Sequence, residues 1–333
     1  MAGTVSSLAA LGALLSSTQE PVAPPPLNRQ NFLPFFIASR DRVSSTSEII
    51  TLKPTQLVFT RNPYEEDAKK GLWSVLALQP QLQIARSYTP LPPTPISNHT
   101  NTDEIRFLLR HHPRGEVSSY LHKLYVGDTV YLRGPYPEYK IPDGVDKVLF
   151  LAGGTGIAPA LQTIHTLLDV RGGGGRSIPK IEVLWANKKW EDCEGGVSDW
   201  EGNSVHRAIG AWKKLLYVGN RKLASAANTA PIPNLIVQEL GRLKEKYPGQ
   251  ITVDYFVDEE GTTITESVLR RCLKRRSAQK PGTGKTLVLV SGPDGFVGHY
   301  AGPKHWEGGA EQQGPLGGVL QGIDAEGWEV WKL

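Results

Sequence analysis

VLFLAGGTGIAP, residues 148–159, is a run of β-branched and apolar residues that ends abruptly in glycine and then turns helical. The physical reading is a buried parallel strand, a tight turn, and a helix whose first N–H groups face an anion. Gly153, Gly154 and Gly156 suit such a turn, because glycine tolerates positive φ and lets a phosphate approach the backbone. The spacing is neither the GxGxxG of a Rossmann fingerprint nor the GxxxxGK[ST] of a P-loop. Standing alone, the turn fits a purely structural role equally well.

The sequence before and after this loop follows two different grammars. From Asn31 to Ile141, short apolar or alternating runs (IITLKP, TQLVFT, LWSVLALQP, EIRFLLRHH, DTVYLRGP) are separated by Pro, Gly, Asn and Asp. Strands recurring in this way predict a closed or nearly closed antiparallel barrel. After Pro142-Asp143-Gly144, strand patterns (VLFLA, IEVLWAN, ITVDYFVDE, TLVLVSGP) alternate with helical ones (PALQTIHTLLDV, IPNLIVQELGRLKEKY, TESVLRRCLKRR). That alternation predicts a parallel sheet with helices on both faces. The expected organisation is a leader over 1–29, a β-barrel over 30–143 and an α/β domain over 144–333, with an insertion near 195–233.

Composition narrows the function classes. The chain has 333 residues, 39% apolar and 21% charged, with a net charge of +4, which gives no reason to expect nucleic-acid binding. Arg270, Arg271, Lys274, Arg275 and Arg276 cluster on one expected helix and read as a solvated face. Two distant cysteines, Cys193 and Cys272, exclude a disulfide scaffold and a cysteine-based metal site, leaving buried thiols. No HExxH or GxSxG occurs, and His111-His112, adjacent on an expected strand, point to opposite faces, so no metal site is expected. PGTGKT (281–286) precedes a strand rather than a helix and has Gln279 where a P-loop needs glycine. Asn98-His99-Thr100 is a sequon with meaning only in the secretory pathway. The apolar run Leu8–Leu15 is far shorter than the ~20 residues of a membrane helix; it reads as a disordered leader or the stub of an anchor.

Four motifs carry the chemistry. Arg86-Ser87-Tyr88-Thr89-Pro90 ends a barrel strand: a forked cation for phosphate, a flat ring for stacking, and a hydroxyl for a ring nitrogen. Gly115-Glu116-Val117-Ser118 opens a short helix with backbone N–H groups and a hydroxyl for a pyrophosphate. The loops at Gly153–Gly156 and at Ser291-Gly292-Pro293-Asp294-Gly295-Phe296 both leave the carboxyl ends of parallel strands, where ligands bind in open α/β sheets.

The order RxYT, GxxS, GGTGIAP and GP resembles the ferredoxin–NADP reductase superfamily, and most closely its cytochrome b5 reductase branch, over residues 30–333. The resemblance implies a Greek-key FAD-binding barrel followed by an NADH- or NADPH-binding domain. It places Arg86 and Ser87 at FAD, Tyr88 on the isoalloxazine, and Gly115, Val117 and Ser118 at the FAD pyrophosphate. It places Gly153, Gly154, Thr155, Gly156, Gly292, Pro293, Asp294 and Phe296 around the nicotinamide nucleotide. Thr89 and Ser291 then flank the reacting atoms.

The family's cysteine before GP is Ser291 here, and Leu108 replaces an aromatic flavin contact. Trp331, near a C-terminus that covers the flavin in some relatives, is expected to pack into the sheet instead. Lys188 and Lys189, after the second parallel strand, would favour NADPH, whereas the b5 reductase likeness leans to NADH. The segments LNRQNFLPFFIASRDRVSSTSEIITLKP and AGPKHWEGGAEQQGPLGGVL are similar to those of fungal mitochondrial flavoproteins that assist haem attachment to cytochrome c. That likeness implies an inner-membrane anchor, an intermembrane-space location, and haem, cytochrome c or its haem lyase as partner. The alternative it allows is a flavin-bearing assembly scaffold with weak reductase activity.

Overall fold

The computed structural model describes residues 27–55, 64–93, 104–172, 178–200, 232–274, 284–323 and 327–333. Most of the leader, the run after Thr55, the sequon at Asn98, Arg275 and Arg276, and residues 201–231 of the insertion lie outside these.

Seven antiparallel strands form the first unit: β1 Leu33–Arg42, β2 Ser47–Pro54, β3 Gly71–Gln79, β4 Ile84–Tyr88, β5 Pro90–Leu91, β6 Ile105–Arg110 and β7 Thr129–Lys140. Their order is β4-β3-β7-β1-β2-β6-β5. The two edge strands β4 and β5 are separated in the chain by Thr89 alone, so the sheet must curl until its edges meet. Period-two side chains fill the interior, among them Phe35 and Ile37, Ile50 and Leu52, Phe107 and Leu109, Val130 and Leu132. Two helices, α1 Glu65–Lys70 and α2 Glu116–Lys123, interrupt the strand succession.

The second unit is a five-stranded parallel sheet of β8 Val145–Gly153, β9 Lys180–Asn187, β10 Ile251–Val257, β11 Lys285–Ser291 and β14 Trp328–Lys332, in the order β10-β9-β8-β11-β14. A small hairpin, β12 His305–Glu307 and β13 Ala310–Gln312, stands apart from it. The helices are α3 Ile157–Ile164, α4 Leu235–Lys246, α5 Glu266–Lys274, α6 Asp294–Ala301 and α7 Gly318–Gln321. Alternate residues of β8 serve opposite faces. Val148, Phe150 and Ala152 pack with α3 and α4, while Leu149 and Leu151 pack with α5, α6 and α7. Among the described residues no helix is long and apolar enough to cross a membrane.

The first of these two cores does not stop at the sheet. It takes in Val43, Ile49, Leu72, Leu91, Leu108, Tyr139 and Ile141 of the barrel, so the two units share one apolar core. At its centre α3 is buried on every side, which forces its one amide to find partners in the barrel. Gln162, 4% exposed, donates from Nε2 to Trp73 O (3.1 Å) and Pro90 O (2.8 Å), while its Oε1 accepts from Trp73 N (3.1 Å). Nearby, Arg171 donates to Lys69 O, Lys70 O, Ile141 O and Pro142 O, and Thr166 Oγ1 donates to Ala68 O.

Several expectations need correction. The sheet has a fifth parallel strand, formed by the final residues, in which Trp331 packs 4.8 Å from Tyr139 of the barrel. His111 and His112 lie beyond β6 rather than on it, and His111 stacks on His122 instead (4.6 Å, 9°). The basic face of α5 is not all solvated. Arg271 pairs with Asp254 and lies 3.4 Å over the Trp200 ring, because residues 198–200 run along the otherwise open edge of β10.

The sheet order reverses between β8 and β11, so the loops leaving their carboxyl ends face each other across a crevice. They touch as backbones. A Cβ on Gly156 would stand 2.2 Å from Ser291 O, and one on Gly292 would stand 3.1 Å from Gly153 Cα.

Two outcomes follow for stability. Gln162→Leu strands three buried backbone groups, and urea denaturation is expected to show a loss of about 2–4 kcal/mol; a loss below about 1 kcal/mol means the amide bridge contributes little. Gly156→Ala must drive the two loops apart and should lower stability by about 1–3 kcal/mol. By contrast Gly295→Ala, in α6 with open space around its Cα, should be neutral or stabilising in the same assay.

Candidate functional site

The barrel contributes one wall. Arg86 and Ser87 are exposed at the end of β4, Tyr88 and Thr89 are half-buried, and Pro90 is buried. The Tyr88 ring lies 5.7 Å from Phe107, and burial pushes its hydroxyl up to about 12, so it remains a neutral flat surface at any ordinary pH. Arg86 reaches to within 3.9 Å of Glu116, the first residue of α2, which joins the RSYT corner to the GEVS turn.

Gly115 precedes α2 with no side chain capping the helix, which leaves its first N–H groups open to an anion. A Cβ at 115 would stand 2.6 Å from Ser118 Oγ. That hydroxyl is turned back onto His112 and Gly115, so Ser118 offers a ligand its backbone N–H rather than its side chain. Val117 is buried in the barrel core. Partial burial, with the charges of Arg110, Lys188 and His111, holds His112 below the ordinary imidazole range, which marks this turn as electropositive. An open helix start, an adjacent arginine and a flat half-buried ring fit a dinucleotide carrying an aromatic ring system.

The parallel sheet contributes the facing wall. Gly154 has φ +55°, a conformation that favours glycine, and its carbonyl accepts from Trp185 Nε1 of β9 at 2.9 Å. The Phe296 ring covers Gly153, where a Cβ would come within 2.8 Å of it. Ser291 is 7% exposed at the end of β11, and Pro293 and Asp294 are exposed at the start of α6. Thr155 is half-buried and Gly156 buried. The Gln162 bridge to Pro90 ties this wall to the RSYT corner, because Pro90 directly follows Thr89.

At the junction Arg110, Asn187 and Asp192, which the sequence reading passed over, join residues that it named. Leu108, Arg110, Gly154, Thr155, Asn187 and Asp192 line a small cavity of about 10 Å³. Leu108 is 7% exposed and belongs to the shared core. Arg110 pairs with Asp192 at 2.5 Å and donates to Ser47 Oγ at 3.1 Å. Asp192 also accepts from Ser44 Oγ at 2.8 Å. One signal was available for Asn187: a polar side chain at the carboxyl end of a parallel strand. Arg110 and Asp192 gave none, since their meeting depends on how the two units dock. A larger cavity of about 30 Å³ lies elsewhere on the interface, around Trp73, Pro92 and His165, and contains none of the four loops' polar groups. Lys188 and Lys189 are both exposed, with Lys189 paired to Glu191 at 3.3 Å.

Residues 70–141 match the family model for the oxidoreductase FAD-binding domain. The chain is 24% identical over 279 residues to NADH-cytochrome b5 reductase 2-A of Vanderwaltozyma polyspora, covering 83% of this chain and 78% of that protein. It is 27% identical over 250 residues to NADH-cytochrome b5 reductase 2 of Kluyveromyces lactis, covering 73% and 66%. Its fold superposes on the cytochrome b5 reductase domain of Ulva prolifera nitrate reductase with a TM-score of 0.51 at 17% identity, over 82% of this chain and 91% of that one. The barrel thus matches an FAD-binding domain, and the chain as a whole is similar in sequence to NADH-cytochrome b5 reductases and shares the two-unit fold of a cytochrome b5 reductase domain.

Proposed function

We propose that the chain is an NAD(P)H-dependent flavin reductase that passes electrons to a haem protein, with FAD on residues 30–143 and the pyridine nucleotide on 144–333. The observation that carries this reading is the Gln162 bridge. A single buried amide holds the RSYT corner of the barrel against the helix that grows out of the Gly153–Gly156 loop. Groups that would hold two ring systems in line are thereby fixed on one rigid body, which is what transfer between stacked cofactors needs.

When bound, FAD supplies the conversion of a two-electron hydride into single electrons. The chain's own residues bind, orient and exclude water. Arg86 and the open start of α2 neutralise phosphate charge, Tyr88 gives a neutral stacking face, and Thr89 offers a hydroxyl at the corner. Across the cleft, Ser291 is placed to hydrogen-bond the nicotinamide side, and the apposed glycine loops leave no room for solvent between them.

The relatives named for NADH-cytochrome b5 reductase support a haem-protein acceptor. For the physiological setting, we propose a mitochondrial protein of the intermembrane space that serves haem attachment to cytochrome c. The tail and barrel-entry segments that resemble the flavoproteins of that step support this. Subcellular fractionation with protease protection tests the compartment, and recovery in the cytosol overturns that part.

The purified protein should be yellow and bleach within seconds under anaerobic NADH or NADPH. Colour without bleaching favours an assembly scaffold, and a colourless protein defeats both flavin readings. Replacing Lys188 and Lys189 together with alanine should raise the KM for NADPH more than that for NADH; an unchanged ratio removes these lysines from coenzyme choice. Ser291→Cys should speed anaerobic bleaching in stopped flow, since a polarizable sulfur replaces a hydroxyl beside the reacting ring.

A further inference from the structure

We infer that Arg110 is a phosphate ligand of the pyridine nucleotide, supplied by the barrel and held by Asp192 until the phosphate takes the carboxylate's place. The inference rests on the nucleotide reading of the Gly153–Gly156 loop and names a residue that the loop motif does not contain.

Position is the first argument. Arg110 Nη1 lies 3.2 Å from where a Cβ on Gly154 would stand, so the guanidinium sits directly over the loop's left-handed glycine. The absence of a side chain there opens the backbone to a ligand and admits the arginine. Phosphate bound at the N–H groups of this loop would lie beside a permanently charged, forked donor, the geometry that favours arginine over lysine.

The partners of Arg110 are all exchangeable polar ones. Nε donates to Ser47 Oγ, Nη2 meets Asp192, and Nη1 is turned to Gly154. Asp192 is 4% exposed and comes from the turn Trp190–Cys193 that follows β9. That turn is fastened to the barrel by polar contacts as well, with Ser44 bonding Asp192 and Ser45 bonding Glu191. The carboxylate therefore occupies the place beside Arg110 that a nucleotide phosphate of the same charge sign would compete for.

The same cavity holds an unsatisfied group. Asn187 is 3% exposed, its Oδ1 has no hydrogen-bond partner, and its amide meets only the thiol beside it. Its polar neighbour is the Cys193 thiol, which burial pushes well above its ordinary value and keeps protonated. A buried amide left in this state is costly unless a ligand completes it, and a ribose hydroxyl or phosphate oxygen would do so. The cavity measures about 10 Å³, room for about one water, so a dinucleotide enters only when the Trp190–Cys193 turn moves off the barrel.

The test is calorimetric titration of the flavin-loaded protein with ADP-ribose, and with adenosine as the probe that lacks phosphate. Arg110→Gln should weaken ADP-ribose binding about 10-fold or more while leaving adenosine within about twofold. Asp192→Asn should move ADP-ribose the other way and tighten it, because the competitor for the guanidinium has lost its charge. Arg110→Lys, which keeps the charge and loses the fork, should fall between wild type and Arg110→Gln, and serves if the glutamine variant does not fold. An affinity within about twofold of wild type for Arg110→Gln, an equal loss for adenosine, or weakening by both Arg110→Gln and Asp192→Asn overturns the inference and leaves a purely structural ion pair. A wild-type protein that binds ADP-ribose but purifies without flavin defeats the flavin reading alone.

Discussion

A buried amide at the centre of the shared core, with Arg171 and Thr166 beside it, fixes how the two halves of this protein dock. Gln162 stands on a helix whose other residues are all buried, so its donor and acceptor cannot be left to water. It meets both backbone groups of Trp73 and the carbonyl of Pro90, and each partner is at a different part of the barrel. Burial of apolar surface brings the units together without direction, whereas these hydrogen bonds choose one docking angle. The cleft between the RSYT corner and the Gly153 loop inherits its width from that choice.

The sheet order explains why the two glycine loops act as one structure. Successive βα units run outward from β8 to β10, and the chain then returns to place β11 on the other side of β8. Where winding reverses, no helix covers the carboxyl ends, and a crevice opens. Gly156 approaches the Ser291 carbonyl at a distance that no side chain tolerates, and Gly292 packs closely on Gly153. The glycines are thus required for close packing as much as for ligand access.

Charge is distributed to match. Arg86, the open start of α2, Arg110 and Lys188 lie along the cleft, while the matching carboxylates of Glu116 and Asp192 are single partners rather than a wall of acid. The cationic residues that cluster on α5 are largely occupied elsewhere: Arg270 pairs with Glu266, and Arg271 with Asp254 and Trp200. Within the basic run that stood out in the sequence, Arg271 thus helps to close the β10 edge, and other positive charge is scattered through segments that looked ordinary.

Local sequence determined the element types. Period-two alternation marks the barrel strands, continuous apolar runs mark the parallel ones, and glycine at 153–156 marks the strand-to-helix turn, because each depends only on neighbours within a few residues. The final strand escaped because Trp328–Lys332 is short and has an ordinary pattern; only pairing with β11 makes it a strand. Hydroxyl use at Ser118 escaped as well, since a side chain's choice between its own loop and a ligand depends on the folded turn. Arg110, Trp185, Asn187 and Asp192 lie far apart in the chain and carry no motif. They meet because a shared apolar core and one buried amide press the barrel against the sheet, and contacts of that range are decided by tertiary structure alone.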